Sequence, residues 1–480
     1  MFGYRSILTE APRPEAIRRN PRAPWLAVGV VCFGAFMGQL DASIVTLTFA
    51  PMQHDFGQPL AAVQWVSLAY LLALVALLAP AGRTADSIGR KLVYGFGFVV
   101  FTVGSAACGL APSLGLLVAF RLVQAGGAAM LQANSVALVT TSVPPSRMRL
   151  ALSVQAAAQS LGLGLGPSLG GLLTQTVGWR GVYWINVPVG CAAVIAGRYL
   201  LPRTRQFGRT DSFDWPGALA LAGATSALLL ALSAAGGLPL PGWAAGLLAA
   251  AAVLAGGLFL WRELRARFPL IPAALLRSAR VGLALAGAFL GYLALFGPLV
   301  LMPQVLPGSA ARIGLQLTAL PAGFGLAALG AETLLPAGIG NRYRGAAGAL
   351  LCSLALAMLI AVNASTGWVV VLLALAGTGL GLFVPANNAV IMRSAPQGSA
   401  SVLGGLLNMA RGIGTTFGIA LVTIALHVAP RQPGGKPGPD LALAILAAAG
   451  AAAAVIALAI RPLAGRGTGA ASPEQASAFG

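Results

Sequence analysis

Five side chains stand out as capable of chemistry because almost everything around them is apolar. Asp41, in "FMGQLDASIV", is the single charge between Pro24 and Met52. Arg121 is the single charge in the apolar run 114–141, and Gln124 follows it three residues later on the same face if the run is helical. Glu332 and Arg411 are further charges inside apolar runs. In low-dielectric surroundings desolvation disfavours the charged form of an acid such as Asp41, so it can take up and release a proton near neutrality. The alternatives for Asp41 are a carboxylate held ionised by an arginine from another helix, or one near the outer interface. An arginine at the centre of a membrane helix costs about 2.5–3.5 kcal/mol, so Arg121 must face protein or water and have partners there. Those partners are either backbone carbonyls, which would make it structural, or the groups of a proton-coupling site. Gln124 can orient Arg121 or bond a ligand directly. Glu332 can meet a cationic ligand, or pair with Arg342 or Arg344.

Only long helices in a membrane can carry such residues. The 480-residue chain is 58% hydrophobic and 9% charged, with a mean hydropathy of +0.84, far too little charge to cover a water-soluble protein of this size. Its apolar residues fall into fourteen blocks, roughly 25–50, 60–81, 92–110, 114–141, 149–176, 180–200, 214–234, 241–260, 282–306, 313–336, 345–362, 367–391, 399–427 and 441–460. Most are near the 20 residues or so that cross a bilayer as a helix. Open sheets cannot span, and the alternation of a membrane barrel is absent. The expected fold class is therefore an all-α polytopic membrane protein. Asp41 lies about 24 Å along its helix from Trp25, past the midplane.

The net charge of +19 would suggest nucleic acid in a soluble protein, but its distribution excludes that partner. With both tails in the cytoplasm, most of the 30 Lys and Arg fall on cytoplasmic segments: 82–91, 142–149, 201–213, 261–281, 337–344, 392–398 and the tails. This is the positive-inside bias, and it orients the chain. The first 23 residues are polar and basic, and the apolar run after them is too long for a cleaved signal. Four scattered cysteines and two distant histidines form no metal-binding or disulfide pattern, so neither a metal nor a cofactor is expected. No cluster of acids and histidines suited to a membrane enzyme is present. The basic segment 261–280 suits an interfacial loop held by membrane lipids.

The spans group as six, two and six. A tail (1–23) precedes a first six-helix bundle (24–201). An insert of two helices and a basic loop (202–280) separates it from a second bundle (281–460), and a tail (461–480) follows. The bundles echo each other: Gly162 and Gly166 of "QSLGLGLGPSLGG" align with Gly414 and Gly418 of "RGIGTTFGIA", and Gln159 aligns with Arg411. Duplicated halves with a site between them near the midplane are typical of secondary transporters. Gly162, Gly166 and Gly170 recur every four residues and make a smooth face for a neighbouring helix, with Pro167 as a stiff point. That face serves packing alone, or also a pivot between the halves.

Several segments resemble the major facilitator superfamily. "GRTADSIGRK" is similar to its loop signature, with Gly82, Asp86, Gly89, Arg90 and Lys91 in place. There Gly82 and Gly89 would form a tight turn, Asp86 would accept from the next helix, and Arg90 and Lys91 would lie at the phosphate level. In the second half "GIGNRYRGAAG" is a weaker echo, with Asn341 near the position of Asp86. "RLVQA" resembles the family's Arg-x-x-Gln-Gly motif, with Ala125 for the usual Gly. "GLGLGPSLGG", to Gly170 and Gly171, resembles its antiporter motif. "LDASIVTLTFAP" resembles the acidic motif of drug:proton antiporters, departing from it at Thr46 and Pro51. "WRGVYWINVPVG", "FDWPG", "MPQVLPGSAARIGLQLTALP" and "MARGIGTTFGIAL" resemble segments of the fourteen-helix branch. The resemblance implies a monomeric, multi-pass protein of the cell inner membrane. It would be no enzyme but a proton-driven exporter of lipophilic small molecules, cations among them. Asp41 and Arg121 would couple protons. Gln124, Gln159, Glu332 and Arg411 would line the substrate path, and the loop signature would act as a conformational gate. An importer or uniporter of a polar metabolite is the rival on the same fold; it needs more polar residues facing the cavity, and the spans offer few: Gln124, Gln132, Asn134, Gln155, Gln159, Asn387, Asn388 and Asn408. A non-transporting receptor or a membrane enzyme is the rival of another kind.

Overall fold

A computed structural model describes residues 13–144, 147–203, 214–265, 278–334, 340–361, 366–393, 400–429 and 437–460. All regular structure among them is helical. The first half contains α1 (Ala23–Phe56), α2 (Trp65–Ile88), α3 (Arg90–Gly109), α4 (Leu114–Ser142), α5 (Met148–Thr176) and α6 (Asn186–Leu200). Next come α7 (Trp215–Ala235) and α8 (Gly242–Arg265). The second half contains α9 (Ala279–Val305), then α10, which runs from Ala310–Leu317 on through Ala319–Leu334. It ends with α11 (Asn341–Ala361), α12 (Thr366–Arg393), α13 (Ala400–Val428) and α14 (Pro437–Ala459). Among the described residues 11 helices are long and apolar enough to cross a membrane, by length and composition. The helices α5, α6 and α7 are not among them, so the expected count of fourteen spans is not reached on that measure.

Local chemistry sets the ends. Ser113, Ser278 and Ser309 cap α4, α9 and α10 by accepting a backbone N–H of the first turn. Asp214 does the same for α7, accepting from Gly217 N at 3.1 Å, and also takes Arg262 Nε of α8 at 2.6 Å. One side chain thereby starts α7 and ties its neighbour to it. The connection from α2 to α3 is shorter than the sequence suggests. Helix α2 runs through the motif to Ile88, and α3 starts at Arg90. Gly82 is thus a helical residue and not a turn. Gly89 alone makes the break, at φ 114°, a backbone conformation that favours glycine. The nearest proline, Pro80, lies upstream, and nothing between Arg83 and Ile88 prevents the helix from continuing. Block 180–200 is likewise two pieces, a short turn Gly181–Trp184 and then α6.

Small residues let the helices approach closely, as expected where lipid supplies no hydrophobic drive. Gly97 and Gly127 meet where α3 crosses α4, and Gly348 and Gly379 meet where α11 crosses α12. Gly162 of α5 lies on the Phe36 carbonyl of α1, and Gly414 of α13 on the Phe289 carbonyl of α9. The two halves therefore repeat one packing scheme.

The halves touch each other at the end of the bundle away from the termini. There Gly171 of α5 lies on Ala310, and Gly314 of α10 lies on the Pro167 carbonyl. Ser168 and Thr318 share a hydrogen bond, and Gln175 accepts from Ala311 N at 3.3 Å. Beside this seam Gln64, just before α2, accepts from Thr423 of α13 at 2.8 Å and donates to Ser233 of α7 at 3.2 Å.

Candidate functional site

Arg121 and Asp41 come together from helices 80 residues apart in sequence. Nη1 of Arg121 donates to Oδ2 of Asp41 at 2.7 Å, and the two side chains are 1% and 0% exposed. The same Nη1 reaches Oε1 of Gln124 at 2.7 Å, and Nε donates to the Val66 carbonyl of α2 at 2.9 Å. Gln124 Nε2 donates to Oδ1 of Asp41 at 3.0 Å. Arg121 and Gln124, three residues apart on one face of α4, thus take one carboxylate oxygen each.

The remaining contacts come from residues that sequence reasoning did not assign to the site. Asn186, at the start of α6, donates to Asp41 Oδ1 at 3.3 Å and to Ser105 Oγ of α3 at 3.1 Å. Ser105 in turn donates to the Tyr183 carbonyl at 2.9 Å. The Tyr70 ring lies 4.0 Å from the Arg121 guanidinium, with Tyr183 at 5.7 Å. A single buried amide at the head of an apolar helix was the signal available for Asn186. Ser105 and Tyr70 carry none.

The result is a buried ion pair in which both carboxylate oxygens accept hydrogen bonds, Oδ2 from Arg121 and Oδ1 from Gln124 and Asn186. Separating such a pair leaves a buried charge without compensation, at about 3–5 kcal/mol.

The second half lacks this cluster. Counting from the matching helix crossings, the positions of Asp41, Ser105, Arg121, Gln124 and Asn186 fall on Ala294, Leu356, Leu373, Ala376 and Leu446. All five of those are buried. The chain keeps the packing of its repeat, but among the described side chains of the two halves only the first carries fully buried charge.

The other expected site residues are spread out. Gly162, Gly166 and Gly170 face Phe36, Ser43 and Ile44 of α1, on the turns that bracket Asp41, whereas Gly171 faces α10. The stripe belongs to the first half, and the contact across the halves is made by Gly171 and the Pro167 carbonyl. Gln159 is half-buried on α5, and Arg411 half-buried on α13. Gly89, Arg90 and Lys91 sit at the α2–α3 break; Lys91 is buried, not spread at the surface as a phosphate-level lysine would be. The side chains of Asp86 and Glu332 lie outside the described residues.

Residues 31–419 match the family model of the Major Facilitator Superfamily. The chain belongs to that superfamily. A tetracenomycin C resistance and export protein of Streptomyces glaucescens is 33% identical over 437 residues, covering 86% of this chain and 79% of that protein. A methylenomycin A resistance protein of Bacillus subtilis is 32% identical over 416 residues, covering 83% and 87%. In fold, the chain matches a POT family transporter crystallised with a thioalcohol-conjugated peptide. The TM-score is 0.68 over 94% of this chain and 98% of that one, at 13% identity. This superfamily member is a multi-pass membrane transporter and not an enzyme, with the all-α architecture its composition requires.

Proposed function

We propose that the chain is a proton-coupled exporter of lipophilic small molecules, drugs or secondary metabolites, in the cell inner membrane. Its termini face the cytoplasm. The observation that carries this is the Asp41–Arg121 pair, fully buried and confined to one half. The names of the resistance and export proteins it resembles support the direction of transport. The positive-inside distribution of charge supports the orientation.

In this mechanism the described conformation is sealed on the outer side, where α5 meets α10 and Gln64 meets Thr423. A cavity of about 760 Å³ opens on that side, lined by Asp55, Trp65, Ser113, Val118 and Leu230 among others. Trp65 adjoins Val66, the carbonyl partner of Arg121, and Val118 lies one turn of α4 before Arg121. A proton from outside would reach Asp41 by this route. Protonation neutralises Asp41, frees Arg121 from it and loosens the α1–α4 contact. Substrate must prefer the opposite charge state, or nothing is coupled.

Proteoliposomes test this with a pH dye inside and a panel of lipophilic cations, neutral compounds and acids. The expected outcome is compound-dependent proton release by the wild type and none by Asp41→Asn. Compound flux that ignores the proton gradient in both proteins would favour the uniporter instead.

A further inference from the structure

Arg411 is a cation in the second half with no carboxylate within ion-pair distance among the described residues. Its Nη1 donates to Asn408 Oδ1 at 3.3 Å, and its guanidinium lies 5.3 Å from the Tyr292 ring. Its Nε is buried without a partner. A guanidinium has five N–H donors in a planar fork, and one neutral amide leaves most of that fork unfilled.

The direction of Arg411 follows from its helix. Gly414 and Gly418 of α13 lie on α9, while Gly412 and Thr423 lie on Val75 and Gln64 of the α2 segment. At about 100° per residue, Asn408, Arg411 and Thr415 fall on the face between these two contacts. The helix α2 belongs to the first half and α9 to the second, so this face looks into the space between the halves. Tyr292 stands beside it, stacked on Phe296 with ring planes 19° apart.

The two halves thus offer opposite opportunities. Asp41 is fully buried and already satisfied by Arg121, Gln124 and Asn186, so it presents nothing to a cation. Arg411 presents unfilled donors beside an aromatic platform. A planar fork of this kind matches a carboxylate with two parallel bonds, and it stacks on aromatic faces.

We propose that Arg411, with Asn408 and Tyr292, is the docking point for an acidic oxygen group on the transported molecule. The preferred cargo is then an aromatic compound carrying a carboxylate or an ionised phenol, not a lipophilic cation. This rests on the exporter reading, because it assigns that exporter's cargo.

Binding to the purified full-length protein in detergent tests it without any proton gradient. The probes are anthraquinone-2-carboxylic acid, its methyl ester and tetraphenylphosphonium, followed by tryptophan quenching at neutral pH. The acid is expected to bind about tenfold or more tighter than the ester, as charge-assisted hydrogen bonds imply. Arg411→Gln should bring the acid to within about twofold of the ester and leave the ester unchanged, which reports an intact cavity. Arg411→Lys keeps the charge and loses the fork, and should lose severalfold of the acid's advantage even if the Gln variant does not fold. Equal binding of acid and ester by the wild type, tighter binding of the phosphonium, or an acid preference unaltered in the variants would overturn the proposal. Acid preference without proton release in liposomes would instead sink the coupling mechanism and leave this site standing.

Discussion

Gly170 lies against Ile44, three residues beyond Asp41, while Gly171 on the next peptide lies against Ala310 of the opposite half. One turn of α5 is therefore wedged between the helix that carries the buried acid and the seam at the end of the bundle away from the termini. Gly170 touches the carbonyl and Cγ1 of Ile44, and Gly171 touches the Ala310 carbonyl, so a displacement of α1 is expected to be felt at α10. A Cβ on Gly171 would collide with the Ala310 carbonyl. Gly171→Val is therefore expected to part the seam while leaving the α1–α5 packing in place. Labelling of a cysteine placed at Ala311 should rise severalfold in that variant. Unchanged labelling would mean that the seam does not depend on this contact.

The Asp41–Arg121 pair predicts an asymmetric mutational pattern. Arg121→Gln leaves a buried carboxylate with amide partners only, and should cost about 3–5 kcal/mol of stability in detergent. Adding Asp41→Asn removes the orphaned charge, so the double variant should melt well above Arg121→Gln alone. Thermal melting of the wild type, the two single variants and the double variant gives the coupling directly. Additive losses would mean that the two residues do not act as a pair.

What the sequence revealed and what it hid divide along physical lines. Desolvation cost makes a lone charge in an apolar run conspicuous, so Asp41, Arg121 and Arg411 were visible as types. The i, i+3 spacing placed Gln124 beside Arg121 without any structure. An arginine from another helix was one expected partner for Asp41, but that it is Arg121 was not legible, because it depends on how α1 and α4 cross. Asn186 and Ser105 were hidden because small polar residues are ordinary in membrane helices. Gly82 misled because glycine signals a turn only where the backbone needs positive φ, and here that residue is Gly89. The glycine stripe announced close packing, but spacing alone does not say whether the neighbour is α1 of the same half or α10 of the other.

The apolar counterpart of the site is itself testable. Ala294 occupies the place in the second half that Asp41 holds in the first, among Leu373, Ala376 and Leu446. Ala294→Asp puts a carboxyl where the repeat supplies no donor. It should lower the melting temperature sharply, or suppress folded yield, whereas Ala294→Ser should be mild, since a hydroxyl can bond its own helix backbone. Equal tolerance of both would show that the second half offers polar partners after all.

The seam can also be locked. Ser168 and Thr318 hydrogen-bond across the halves, so cysteines at the two positions face each other in the sealed state. Of the native thiols Cys32, Cys108 and Cys352 are buried and Cys191 is exposed, so Cys191→Ala provides the background. Oxidation of Ser168→Cys/Thr318→Cys should hold the outer end shut and stop substrate flux, and reduction should restore it. The locked protein should still bind ligand from the opposite side, because Arg411 and its neighbours are not part of the seam. If flux continued with the bond formed, the outer seam would not open during transport, and alternation between the halves would have to occur elsewhere.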